Sequence, residues 1–182
     1  MSWVNRYNAT YVKPLLNQVI AVIQRDQAAA IAVVNPNLES ITEFHKGPVT
    51  PTVPLWMYLG LGNIRFDQES WETRHYLATL QLALYVAQVD PDQGQELIFD
   101  YGRMLDMVLT SAGPPPSFAD WTTALPIVWP PGAVGAVTTP PAAGSVKEVF
   151  VDSHEYGPVR LGESENPLWR LLLNVLFEME EV

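Results

Sequence analysis

Arg74-His75-Tyr76-Leu77-Ala78-Thr79-Leu80-Gln81-Leu82-Ala83-Leu84-Tyr85-Val86-Ala87-Gln88-Val89 is an alternating run that passes through Asp90-Pro91 into a run of helical period. In an extended chain Tyr76, Ala78, Leu80, Leu82, Leu84 and Val86 share one side. Leu77, Thr79, Gln81, Ala83, Tyr85 and Ala87 share the other. A period of two defines a strand, and the uniformly apolar first side belongs to a core. The second side mixes polar and apolar groups and is suited to meet another subunit.

The helix that follows has a clear beginning. Asp90 can cap it, Pro91 fits its first position, and Asp92 complements the positive end of the helix dipole. Leu97, Ile98, Tyr101, Met104, Leu105, Val108 and Leu109 make the apolar stripe, with Glu96, Asp100 and Arg103 on the opposite side. Ala112-Gly113-Pro114 is read as its stop.

Working outward toward the N-terminus, Pro54 to Gly60 is short, apolar and bounded by breakers, as expected of a buried strand. Residues 63–73 are polar and are read as a hairpin-like connection. Val12, Leu15, Leu16, Val19, Ile20 and Ile23 predict a helix over about residues 8–25. Pro14 places its start near Thr10 or Tyr11, since proline suits only a first turn. Ala28 to Val34 is apolar all round and fits either a second helical piece or a strand. Toward the C-terminus, Val146 to Asp152 and Leu168 to Glu178 both alternate as strands. His154 to Pro158 and Gly162 to Pro167 read as turns.

Gly113 to Ser145 differs in composition, holding 8 of the 16 prolines. A connection of that length without strong elements signals a functional arm or loop, or a loop lying on its own domain. No internal repeat is present. The sum is a single α+β domain over residues 1–182, with a mixed, mostly antiparallel sheet, an N-terminal helix, a central amphipathic helix packed on the sheet, and an inserted Pro-rich loop at 113–145.

Composition narrows function more than it defines it. The 182 residues are 48% hydrophobic and 16% charged, enough to bury a core. Ten Lys and Arg against 20 Asp and Glu leave a net charge of -10. The basic residues are scattered singly, so neither specific DNA binding nor an anionic membrane is an expected partner. The absence of cysteine removes disulfides, thiolate metal sites and a cysteine nucleophile. The N-terminal residues lack the apolar core of a signal peptide, and no apolar run reaches the roughly 18 residues of a membrane span.

A search for chemistry yields no catalytic residue, metal ligand set or cofactor. His45, His75 and His154 lie in separate segments, without the spacing of a zinc site. Asp152-Ser153-His154-Glu155 is the densest run of potential ligands and reads as a solvated turn. Gly60-Leu61-Gly62 lacks the third glycine and the following helix of a dinucleotide fingerprint. Among the six tryptophans, Trp71, Trp121 and Trp129 flank polar or Pro-rich segments and are candidates for interface anchors or for core. Tyr85, on the second side of the long strand, joins them as an interface candidate.

The order of elements resembles the tail terminator (tail completion) proteins of long-tailed bacteriophages. It runs helix, short apolar strand, long strand entering an Asp90-Pro91-capped helix, long loop, two C-terminal strands. The resemblance spans about Tyr11 to Glu178 apart from the 113–145 insertion, and it is one of pattern, carrying no motif residues across. It implies a homo-oligomeric, commonly hexameric ring in the virion, assembled in the host cytoplasm at the head-proximal end of the tail. The ring would end polymerisation of the tail tube protein and join the head through a connector or stopper protein. DNA would pass without specific binding, and Glu96 and Asp100 are the candidates to line an acidic lumen. The insertion departs from the family pattern and puts in doubt whether neighbour contacts follow it. Competing readings are a head–tail adaptor or stopper, a small-molecule-binding or enzymatic domain with 113–145 as its lid, and a scaffold unrelated to viruses.

Overall fold

A computed structural model describes residues 3–46, 54–67, 74–87, 90–110, 145–159 and 168–181. The elements in chain order are α1 (Trp3–Val34), β1 (Glu43–His45), β2 (Leu55–Asp67), β3 (Arg74–Ala87), α2 (Pro91–Leu109), β4 (Ser145–Val159) and β5 (Leu168–Glu181). The strands form one sheet in the order β1-β2-β3-β5-β4. The β1–β2 pair is parallel and the other three pairs are antiparallel, so the fold is α+β with a mixed, mostly antiparallel sheet.

The alternating strand is the centre of the sheet. Ala78, Leu80, Leu82 and Leu84 have no exposed surface and Val86 almost none. Each is flanked by apolar partners in register: Leu82, for example, lies between Leu59 of β2 and Leu173 of β5. Helix α2 lays Ile98, Tyr101, Met104, Leu105, Val108 and Leu109 against this face, and α1 adds Leu15, Leu16, Val19, Val22 and Ile23 to the same core. α1 packs against α2 and touches β2, whereas α2 reaches β3, β4 and β5. Each fully buried Leu, Ile or Phe contributes about 1.5–3 kcal/mol, which makes this layer the dominant source of stability.

The predicted start of α2 is as drawn from the sequence. Asp90 Oδ1 accepts from the backbone N–H groups of Asp92 (2.9 Å) and Gln93 (3.2 Å). The helix ends at Leu109 with Thr110 as its cap, and 112–114 lie outside the described residues.

Four boundaries differ from expectation. α1 begins at Trp3, well before Pro14, so its backbone stays helical through a residue that cannot donate to the carbonyl four positions back. Ala28 to Val34 continues α1 as one helix: Ala30 and Ile31 are buried, while Ala28, Ala29 and Ala32 face water. Alanine obscured that amphipathicity, being apolar by composition yet tolerant of solvent. β2 runs on to Asp67 through a register shift between Leu61 and Asn63, so 63–67 are strand and not connection. β4 continues through His154 to Pro158, which were read as a turn; Gly157 and Pro158 are accommodated because β4 is an edge strand and one flank has no ladder to complete. The 113–145 segment lies outside the described residues except for Ser145, the first residue of β4.

Candidate functional site

Both helices cover one face of the sheet, and the opposite face carries the interface candidate. Tyr85 stacks on Trp56, its register partner on β2, with ring centroids 3.9 Å apart and planes at 13°. Trp56 meets the ring of His45 edge-on at 6.4 Å, and His45 Nε2 lies 2.5 Å from Glu43 Oε1. On the other flank Tyr85 is in register with Arg170 of β5, whose guanidinium sits 3.9 Å from Glu155. A row of aromatic and charged groups therefore crosses the open face from β1 to β4. Trp56 is only 7% exposed, although among the described residues no helix covers it. Its flat stack with the half-buried Tyr85 covers one of its faces.

Sequence reasoning singled out Tyr85 but not Trp56 as a member of this face. The signal was present: a hairpin between two alternating strands places residues of one side in cross-strand pairs. Missing the extent of β2 hid the register.

Glu96 and Asp100, the lumen candidates, lie on α2, on the far side of the domain from Tyr85. Glu96 is exposed. Asp100 is half-buried and accepts from Asn35 Nδ2 at 2.7 Å, which ties α2 to the end of α1. Nearby, Tyr101 Oη donates to the Glu39 carbonyl at 2.9 Å. Burial pushes the Tyr101 hydroxyl up to about 12. Glu96 and Asp100 thus stand one turn apart on α2, whereas Tyr85 lies on the sheet face that the helices leave uncovered. Trp71, Trp121 and Trp129 lie outside the described residues.

The Asp152 to Glu155 run does not converge on a common point. Ser153 Oγ accepts from Asn174 Nδ2 (2.9 Å), His154 Nε2 lies 2.7 Å from Asp106 Oδ1, and Glu155 pairs with Arg170. Strand alternation sends Ser153 and Glu155 to the open face and His154 to the helix side. Burial raises the Asp106 carboxyl above the ordinary aspartate value, partly offset by the hydrogen bond and charge of His154. Burial and the Asp106 charge likewise raise the Tyr156 hydroxyl. Among the described residues no group of three or more His, Asp or Glu is placed to hold a metal, and no helix is long and apolar enough to cross a membrane.

No protein-family model matches the chain, and neither does any curated protein. Among solved structures it is similar to a chain of the virion of a native gene transfer agent particle, with a TM-score of 0.49 and 11% identity over 91% of this chain and 94% of that one.

Proposed function

We propose that the chain is a structural protein of a phage-type virion, which assembles with copies of itself into a closed ring. The ring ends the tail tube at its head-proximal end and presents the head-joining surface. The observation that carries this reading is the one-sided architecture. Both helices cover one face of a five-stranded sheet, and among the described residues no helix covers the other face, organised around the Trp56–Tyr85 stack, which serves assembly. The element order supports it, since it resembles that of the tail terminator proteins. The net charge of -10 supports a passage that lets DNA slide without holding it. Partners in this reading are further copies of the chain, the tail tube protein and the head–tail connector or stopper. Trp71, Trp121 and Trp129 serve as contacts between copies, the last two carried on the 113–145 arm.

Native mass spectrometry over a concentration series, with negative-stain images of the same sample, tests it. Closed rings are the expected result, with or without added tail tubes as template. A chain that stays monomeric at every concentration and also fails to cap assembled tubes refutes the proposal.

A further inference from the structure

A ledge of exposed aromatic side chains runs where α2 meets the edge strand β4. Phe99 and Tyr156 are 46% and 41% exposed, and their rings meet edge to face with centroids 4.9 Å apart at 74°. Tyr156 lies parallel to the His154 ring, 5.8 Å away, and His154 is held by Asp106 of α2. Gly102 makes the room: a Cβ there would come 2.7 Å from Tyr156 Oη.

Glycine inside a helix is destabilising relative to alanine, so its two occurrences in α2 call for a reason. At Gly94 the reason is burial, because the ring it admits, Trp169, is only 9% exposed. At Gly102 the admitted ring stays far more exposed, so burial within the chain explains less. What the arrangement does achieve is to fix Tyr156 and Phe99 in one solvent-facing pose.

We propose that this ledge docks a Lys- or Arg-bearing segment of a different protein. Glu96 stands one turn before Phe99 and Asp92 a further turn away, both exposed, and Asp106 closes the other end. Arg103, the single cation of α2, stands exposed between Phe99 and Asp106, so the row holds three carboxylates against one guanidinium. Cationic side chains stack on aromatic faces and pair with carboxylates, and rigid aromatic anchors carry much of the energy of an interface. A second copy is a poor occupant. The chain is formally -10, with 20 acidic against 10 basic residues, and the cations whose side chains are described, Arg25, Lys46, Arg103 and Arg170, stand far apart in sequence. Of these, Arg25 is paired with Asp26 and Arg170 with Glu155. The inference stands independently of the ring reading.

Calorimetric titration of the full chain with a short synthetic peptide of alternating Arg and Leu tests it, beside Glu/Leu and Lys/Gly peptides. The Arg/Leu peptide should bind, more weakly as salt rises. Phe99→Ser and Glu96→Gln should each weaken binding by about tenfold or more. Gly102→Ala, which keeps every charge and aromatic group but displaces Tyr156, should weaken it as well. Thermal melts establish that the variants fold. Equal binding of the Lys/Gly peptide, or indifference to Phe99→Ser, overturns the proposal. So does a Phe99→Ser effect on the native mass of the chain alone with peptide binding unchanged, since the occupant would then be a second copy.

Discussion

Replacing Gln27 by leucine should destabilise the domain by about 3 kcal/mol. Gln27 lies in α1, is 6% exposed, and treats Ile41 as a strand would. Its Oε1 accepts from the Ile41 N–H at 2.8 Å and its Nε2 donates to the Ile41 carbonyl at 3.1 Å. Ile41 itself has no exposed surface. Leucine at position 27 would strand a buried backbone donor and a buried acceptor, at about 1–3 kcal/mol each. The added apolar burial returns about 1 kcal/mol, which leaves the net figure above. For a chain of this size the melting temperature should fall by about 6–12 °C. Urea denaturation followed by tryptophan fluorescence would read the same loss as a lower midpoint with unchanged slope. Gln27→Glu gives an independent check through its sign. The buried carboxylate would face the Ile41 carbonyl, so its folded-state pKa is raised above the unfolded value. Stability of that variant should be greatest in acid and decline as pH rises through the raised value. A loss below about 1 kcal/mol for Gln27→Leu would refute the claim that this side chain completes the Ile41 backbone.

The two glycines of α2 should respond differently to alanine. A Cβ at Gly94 would fall 2.0 Å from Nε1 of the buried Trp169, so Gly94→Ala should cost about 2 kcal/mol or more despite the better helix propensity, whereas Gly102→Ala should stay within about 0.5 kcal/mol because Tyr156 can swing into solvent. Equal losses in urea denaturation would contradict this. The Asp106 carboxyl is raised by burial above its ordinary 3.8, so the folded state binds its proton more tightly and stability should decline as pH rises from 3.8 through the raised value. Asp106→Asn should abolish that decline and His154→Ala should steepen it, because His154 is what lowers the carboxyl; a pH series of urea midpoints moving the other way would show the sign to be wrong.

The parts of the fold that were legible in the sequence are those where a single signal decides. Alternation over fourteen residues fixed both faces of β3, and a capping aspartate followed by proline fixed the start of α2. The errors share a cause: residues that punctuate chains in general do not do so where the tertiary context spares them. Gly157 and Pro158 looked like a turn, but an edge strand needs no ladder on its outer flank. Ala28 to Val34 had no visible period because alanine counts as apolar on both sides of a helix. The site was legible only one residue at a time. Tyr85 could be named from its strand, but its stacking partner Trp56 depended on a register that the bulge near Gly62 concealed. His154–Asp106 joins residues 48 positions apart, which no local pattern encodes.

The placement of Tyr85 and Glu96 makes the ring reading sharper than either residue does alone. They lie on opposite sides of a two-layer domain, Tyr85 on the open sheet face and Glu96 on the solvent side of α2. In a closed ring each subunit has one neighbour to either side and the lumen between those directions, on the inner side. If Glu96 lines the lumen, the open sheet face looks outward, away from both neighbours, and Tyr85 cannot mediate their contact. If Tyr85 sits between copies, α2 turns toward the other neighbour and Glu96 leaves the lumen. The two expectations therefore exclude each other, and charge-changing substitutions separate them. Tyr85→Arg should abolish rings if the sheet face is the contact, because a cation would be driven into a desolvated aromatic interface. If Glu96 lines the lumen instead, rings should survive both Tyr85→Arg and Glu96→Lys, since neither side chain would then lie between copies. The geometry favours the sheet, because Tyr85 stacks on a buried Trp56 whereas Glu96 is simply exposed. Native mass spectra of the two variants decide it: rings that persist in Tyr85→Arg refute a sheet-face contact, whatever Glu96→Lys does.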